Sequence, residues 1–250
     1  MAKKMQIHLS ADFRSRNIFY PCYTPHGRLA AVEMNVTFVH ETADVTLPQS
    51  MLLPQLDATQ RAAIMQDQLS LLENNSDFFS KHNVRATICV DSFSVESILN
   101  NDLLQHRIRQ LPWLELQIDE AYPGLALGEN NAELMTLRSI AALSLSHFGA
   151  GKIPAKPLYD NLFTRVKIDK KFLQAAAKRA SFPAFIHAIF SNIEAHCQYI
   201  VLPGIDDELL LNKVLAVNPW GLEGAIFPTV DAANLDALVA APAVLSSCQH

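Results

Sequence analysis

The chain has 250 residues, half of them hydrophobic and 18% charged, which is enough apolar material for a sizeable core and too little charge for a disordered chain. Its formal net charge is −5, from 20 basic and 25 acidic residues, and no Lys/Arg-rich stripe stands out, which argues against a protein that grips a phosphate backbone. Eight glycines and 13 prolines exclude a collagen-like or low-complexity chain, and no apolar run approaches the roughly 18 residues of a transmembrane helix.

The opening stretch MAKKMQIHLSADFRS carries two lysines with no apolar segment behind them, so no secretory signal is expected, and residues 1–14 read as an N-terminal extension. Residues 17–23 and 29–39 have strand character and are joined by a turn over Thr24–Arg28 that contains Gly27. That is a hairpin signal, so one strand of the pair should run antiparallel. A long helix is predicted from about 57 to 81, with Asp57 as N-cap, Gln60 at the third helical position, and an apolar face from Ala62 to Phe79. Strand 84–90, short helices at 94–100 and 101–111, strand 113–118 and helix 130–138 follow. Strand 140–146 leads into an irregular loop, 147–157. Strand 163–168 precedes helices at 170–179 and 182–196. Strand 198–202, helix 206–216, strand 222–227 and helix 231–240 complete the series.

Strands separated by helices imply parallel βα units. About eight of them without a linker favour a single α/β domain over residues 1–250, a TIM-like (β/α)8 barrel with an antiparallel first strand. A doubly wound sheet is the alternative, but no G-x-G-x-x-G follows the first strand. The four cysteines, Cys22, Cys89, Cys197 and Cys248, are scattered without a Cys-x-x-Cys, as expected for reduced thiols in the cytoplasm.

In such a barrel the chemistry sits at the C-terminal ends of the strands. Those positions are Glu33, Cys89, Gln117, Ser146 with His147, Lys167, Pro203 and Glu223. Metal-assisted phosphodiester hydrolysis needs several convergent carboxylates and a general base, and the set is poor in both. His147 could be a metal ligand or base. The ordinary reading, a surface or hydrogen-bonded histidine at a loop start, is the one we favour, since no second His or acid lies near it in sequence. Ser146 and His147 are adjacent on a strand and so point to opposite faces, which disfavours a nucleophile–base pair. For Lys167 two readings stay open: a buried lysine that neutralises anions in the barrel mouth, or one paired with Asp169 or another carboxylate. Cys89, between Ile88 and Val90, reads as a small core residue. His196–Cys197 does not make a metal site, and the Gly-Ala-Gly at 149–151 is too short for a phosphate loop and reads as a lid or turn.

Six segments in order carry a resemblance. FYPCYTPHGRLAAVEMNVTF resembles the opening hairpin of the EAL domain, with Glu33-Met34-Asn35 at its signature Glu-Ala-Leu. LELQIDEAYP resembles the family's Glu-x-x-Glu strand and SHFGAGK its Asp-Asp-Phe-Gly-Thr-Gly loop. LFTRVKIDKKF resembles the segment with the family lysine, VLPGIDDELL the Glu-Gly-Val-Glu segment, and LEGAIFPTV the Gln-Gly-Tyr-Leu-Phe-x-x-Pro segment. The chain is similar over nearly its whole length to this family of cyclic di-GMP phosphodiesterases, which implies a TIM-like barrel. Position by position, Glu33 and Lys167 survive. A metal-ligand Asn is replaced by Cys89, and a metal-ligand Glu by Gln117, with Glu120 retained after it. The loop aspartates are Ser146 and His147, the general-base Glu is Pro203, the second Glu of that segment is Asp206, and Glu223 stands for a Gln. Tyr20 and Thr37 replace the Gln and Arg that help hold the dinucleotide.

With these changes the resemblance implies no catalytic residues, no metal, no cofactor and no hold on cyclic di-GMP. Within the family the chain most resembles degenerate members of enteric bacteria that act as anti-FlhDC factors, on the evidence of DEAYPGL at 119–125, FGAG at 148–151, and LFTRVKIDKKFLQ with RASFPAFIHAI. What that implies is a cytoplasmic regulator that binds the FlhD subunit of a flagellar activator and blocks its hold on DNA, without itself touching nucleic acid or membrane. The rival readings are a cyclic di-GMP receptor without hydrolysis, and a weakly active phosphodiesterase whose metal site is rebuilt from Glu33, Glu120 and His147.

Overall fold

A computed structural model describes residues 6–8, 12–151 and 155–246. Ten strands form one sheet: β1 (Gln6–His8), β2 (Asp12–Tyr23), β3 (Leu29–His40), β4 (Thr46–Pro48), β5 (Arg85–Cys89), β6 (Leu114–Asp119), β7 (Ala142–Phe148), β8 (Arg165–Ile168), β9 (Tyr199–Leu202) and β10 (Gly221–Leu222). The order β2-β10-β9-β8-β7-β6-β5-β3, closed by pairing of β2 with β3, makes an eight-stranded barrel. Strand β2 runs antiparallel to both of its barrel neighbours and the other seven are parallel, as the hairpin signal predicted. The hairpin strands outrun the barrel. Only Ala31–Met34 of β3 pairs with β5, so the rest of β3 rises past the mouth, with β4 added along its edge and β1 along the edge of β2. The segment read as an extension thus contributes Phe13 and Arg14 to β2, and its residues 1–5 and 9–11 lie outside the described ones.

The barrel strands alternate strictly, and this explains their sequence. Outward residues such as Ile88, Leu116, Leu145, Val166 and Leu202 are buried under the helices, each contributing about 1.5–3 kcal/mol relative to exposure. Inward residues are largely polar: Thr87 and Cys89, Glu115 and Gln117, Ser144 and Ser146, Arg165 and Lys167. Parallel sheets covered on both faces usually read as continuous hydrophobic runs. Here the inner face is a column of hydrogen bonds and ion pairs instead.

Most helices start on a side chain that accepts from the first-turn backbone: Asp91, Asn101, Asn131, Asp169 and Asp207, and Asp57 with Gln60 in a reciprocal capping box. Three expectations are corrected. The helix predicted over 57–81 is two, Ala58–Asn74 and Ser76–His82, because Asn75 leaves helical geometry (φ −110°, ψ 16°) and its side-chain amide donates back to the Leu71 carbonyl at 2.7 Å. The strand predicted over 222–227 stops at Leu222, because the chain folds against Ile205: a Cβ on Gly224 would lie 2.0 Å from the Ile205 carbonyl oxygen. Residues 232–239 form 3-10 turns broken at Asn234 rather than an α-helix. Among the described residues no helix is long and apolar enough to cross a membrane.

Candidate functional site

The inward column has a floor and a mouth. At the floor, Glu115 is wholly buried and takes Arg85 at 2.9 Å on one carboxylate oxygen and Arg165 at 2.7 Å on the other. Arg165 also donates to the Thr87 hydroxyl, and Arg85 lies 5.0 Å over the Tyr199 ring. Two residues further along each strand is the mouth. There the Lys167 ammonium stands between Glu33 and Glu223, bonded to both, at 2.6 Å from Glu223. Gln117 donates to Glu33 at 3.2 Å and to the Cys89 sulfur at 3.1 Å, and Asn35 donates to the other Glu33 oxygen at 2.7 Å.

Five of the sequence-predicted positions therefore meet: Glu33, Cys89, Gln117, Lys167 and Glu223. Asn35, the third residue of the signature triplet, belongs to the same cluster and is not among the sequence-predicted site residues. Its period-two spacing from Glu33 on β3 was the available signal. Lys167 resolves in favour of other carboxylates over Asp169, which instead caps the helix Lys170–Ala176. Cys89 is corrected from core to mouth: it is exposed to the cavity and faces Glu33. Even so, the protein packed round its sulfur, and the Glu33 charge after it, push its thiol well above the ordinary range.

Burial by itself would raise the Glu33 pKa, but the Lys167 charge and hydrogen bonds from Lys167, Asn35 and Gln117 reverse that and hold the group at about 2. Glu223 has only Lys167 and the more distant Arg165 on its side. Burial and the neighbouring Glu33 charge outweigh them, and its pKa is raised.

The remaining positions stand apart. Ser146 is buried and its hydroxyl reaches the Ile118 carbonyl at 3.4 Å, while the neighbouring His147 is half exposed, and both line the larger mouth cavity. His147 does have an acid beside it in space. Its Nδ1 lies 2.6 Å from Asp119, a hydrogen bond that raises its pKa against the lowering effect of partial burial. Asp119 comes from β6, too far along the chain to be read as a partner. His147 also takes a left-handed backbone conformation (φ 58°), and Ala150 N–H closes a turn on its carbonyl at 3.1 Å. The predicted loop 147–157 is corrected at both ends, since His147 and Phe148 still belong to β7 and Lys156 opens a short helix, Lys156–Tyr159; residues 152–154 lie outside the described ones, as does Cys248. Glu120 is 2% exposed, lines neither mouth cavity, and leaves one carboxylate oxygen without a hydrogen bond. Two cavities share Tyr20, Glu33 and Asn35 at the mouth. One, of 660 Å³, runs towards Thr37, Tyr122 and His147; the other, of 560 Å³, runs towards Pro203, Asp206 and Glu223.

Active EAL domains need divalent cations, and the donors here do not suit them. Glu33 is already held by three N–H donors. Gln117 directs its amide nitrogen, a donor, at the place where a metal needs an acceptor. The Ser146 hydroxyl faces backbone, and His147 is committed to Asp119. The column also balances its own charge, with Arg85, Arg165 and Lys167 against Glu33, Glu115 and Glu223. Among the described residues, no group of three or more His, Cys, Asp or Glu side chains could hold a metal ion.

No family model matches the chain. The anti-FlhC(2)FlhD(4) factor YdiV of Salmonella paratyphi B is 33% identical over 227 residues, covering 91% of this chain and 96% of that protein. The crystal structure of the EAL-like domain protein YdiV matches with a TM-score of 0.84 at 31% identity, over 91% of this chain and 97% of that one. The PaMucR phosphodiesterase in its c-di-GMP complex shares the fold, with a TM-score of 0.67 at 18% identity over 88% of this chain and 94% of that one. An EAL-type barrel with an antiparallel first strand and this similarity over nine-tenths of its length place the chain in the family of YdiV-type, EAL-like anti-FlhC(2)FlhD(4) factors.

Proposed function

We propose that this chain is a non-catalytic EAL-like regulator of the FlhC–FlhD activator. It works by protein–protein contact in the cytoplasm, as one domain over residues 1–250. The FlhD subunit is the contact, and binding keeps the activator off its DNA. The observation that carries the reading is similarity over 91% of the chain to an anti-FlhC(2)FlhD(4) factor, in a barrel whose mouth lysine is already taken by two carboxylates. Glu33, Cys89, Gln117, Glu120, Ser146, His147, Lys167, Pro203 and Glu223 are on this reading vestiges of a catalytic site. Pro203, where a general base is needed, can take no proton, and loss of such a base alone lowers rates by about 10²–10⁴-fold. A dianionic dinucleotide would meet Lys167 already engaged by two carboxylates and a Thr at position 37 where an Arg would grip phosphate.

The test is capture of purified FlhD and FlhC by the tagged full-length chain, together with a gel-shift assay of the activator on its promoter DNA. Capture through FlhD and loss of the shifted band are expected. Failure to bind either subunit overturns the regulatory reading. Turnover of cyclic di-GMP with magnesium or manganese, abolished by Glu33→Ala, overturns the non-catalytic one.

A further inference from the structure

Among the described residues, each α-helix of seven or more residues carries Asp, Glu, Lys or Arg at an exposed position, with one exception, the twelve-residue helix Phe182–Ile193. Its inner stripe, Phe182, Ile186, Phe190 and Ile193, is buried in the main core. Its outer positions are uncharged as well, and Pro183, Ala184, Phe185 and Ala188 among them are exposed. Phe185 retains 37% of its surface, and its ring lies 5.7 Å from that of the half-buried Phe172 on the helix Lys170–Ala176. A surface helix normally turns a charged or polar face outward, and one that is apolar on both sides is normally covered on both.

Charge collects at one end of this face. From 170 to 193 the chain has four basic residues, Lys170, Lys171, Lys178 and Arg179, and no acid, in a sequence whose net charge is −5. Lys170 is bonded to Asp206 at 2.8 Å, but Lys171, Lys178 and Arg179 are exposed and, among the described residues, meet no carboxylate. Lys213 adds a further cation beside them, donating to the Ala177 carbonyl at 2.7 Å. The N-terminus of the helix Phe182–Ile193 lies at the same end and adds partial positive charge, while Glu194 follows the other end.

We propose that the outer face of Phe182–Ile193 is where this chain docks the FlhD subunit, and that FlhD presents to it an apolar ridge flanked by carboxylates at the end nearer Lys178 and Arg179. This location rests on the regulatory reading above and deepens it. Apolar contact round Phe185 holds the complex, and the cations steer its approach. A second copy of this chain would bring one carboxylate, Glu194, against three unmatched cations, and so fits the face less well. An anionic lipid surface needs several large apolar side chains to enter it, and Phe185 is the one large exposed apolar residue of the helix.

Isothermal titration calorimetry of the full-length chain with purified FlhC–FlhD tests the docking face. Phe185→Glu and Ala188→Glu should each weaken Kd at least about ten-fold. The parent Kd should rise at least about three-fold between roughly 0.05 and 0.5 M salt. Lys178→Glu combined with Arg179→Glu should weaken Kd about ten-fold at the lower salt and remove most of that rise. Leu103→Glu, at an exposed leucine of the helix Asp102–Arg109, should leave Kd unchanged. Unchanged thermal midpoints identify the variants as folded. A parent chain that binds neither subunit overturns the regulatory reading and the docking face with it. A parent that binds, while the helix variants or the charge variant bind equally well, overturns the docking face alone. So does a Leu103→Glu loss as large as that of Phe185→Glu. The face is likewise overturned if Phe185→Glu splits a dimer in sedimentation, or abolishes binding to phosphatidylserine vesicles, with FlhC–FlhD binding intact.

Discussion

At the barrel floor one anion sits between two cations, Glu115 between Arg85 and Arg165. At the mouth one cation sits between two anions, Lys167 between Glu33 and Glu223. The two clusters are mirror images in charge, and the surplus of one offsets that of the other through the field of Arg165 at Glu223. They differ in their access to water. Glu115 and Arg165 are 0% and 3% exposed while Arg85 reaches solvent at 31%, whereas the mouth side chains retain 13–14% and border two cavities. Breaking the Glu115–Arg165 pair strands charge where no water can reach it, while the mouth can take up a proton or a water molecule. The floor therefore secures the barrel, and the mouth is where binding properties can change without losing the fold.

The largest expected effect tests the floor. Glu115→Ala leaves two arginines beneath the barrel with no carboxylate, and should cost about 3–5 kcal/mol in urea unfolding. Glu115→Gln should recover part of this through its retained oxygen. A loss under about 1 kcal/mol would show that the floor tolerates unpaired charge and would erase its distinction from the mouth.

At the mouth, Lys167→Met leaves two carboxyls facing one another and should cost about 2–3 kcal/mol at neutral pH, shrinking as acid protonates one of them. The sign for the parent chain follows from Glu33. Its folded pKa of about 2 lies below the ordinary 4.5, so its contribution is present above 4.5 and is lost as pH falls towards 2. Glu33→Gln should flatten that acid limb in pH-dependent melting. Glu223, with its pKa raised where that of Glu33 is lowered, gains less from its surroundings as a carboxylate, so Glu223→Gln should cost less than Glu33→Gln at neutral pH. The reverse order would mean that Lys167 serves Glu223 first.

The smallest effect is at the rim. His147 and Asp119 are about half exposed, so His147→Ala should cost no more than about 1 kcal/mol. The folded His147 pKa is raised, so its contribution is complete below about 6.5 and disappears as pH rises through the folded value. Melting curves of parent and variant should therefore converge in alkali. His147→Gly should melt higher than His147→Ala, since a left-handed backbone costs a non-glycine residue about 1–2 kcal/mol.

Much of this architecture is legible without coordinates. The Thr24–Arg28 turn and its flanking strands announce the hairpin, and Asp57 with Gln60 announces a capping box that the structure contains. Glu33, Cys89, Gln117, Lys167 and Glu223 fall at strand ends in the sequence and converge in the structure. The misses share a cause. Asn75 ends a helix through a bond to its own preceding turn, Gly224 ends a strand through contact with Ile205, and Asp119 finds His147 across the sheet. Each depends on a neighbour that the linear pattern does not place.

By itself, then, the sequence determined the order of strands and helices, the antiparallel opening and the scarcity of carboxylates at the strand ends. These follow from local periodicity, turn chemistry and residue identity. Only the tertiary structure decided how the charges that remain are shared: which ammonium lies between which carboxylates, that Cys89 opens to the mouth rather than the core, and that the inner column is neutral as a whole. Those outcomes depend on closing the barrel, which brings β3, β6, β8 and β10 within hydrogen-bonding reach and sets the inward residues of each at matching heights.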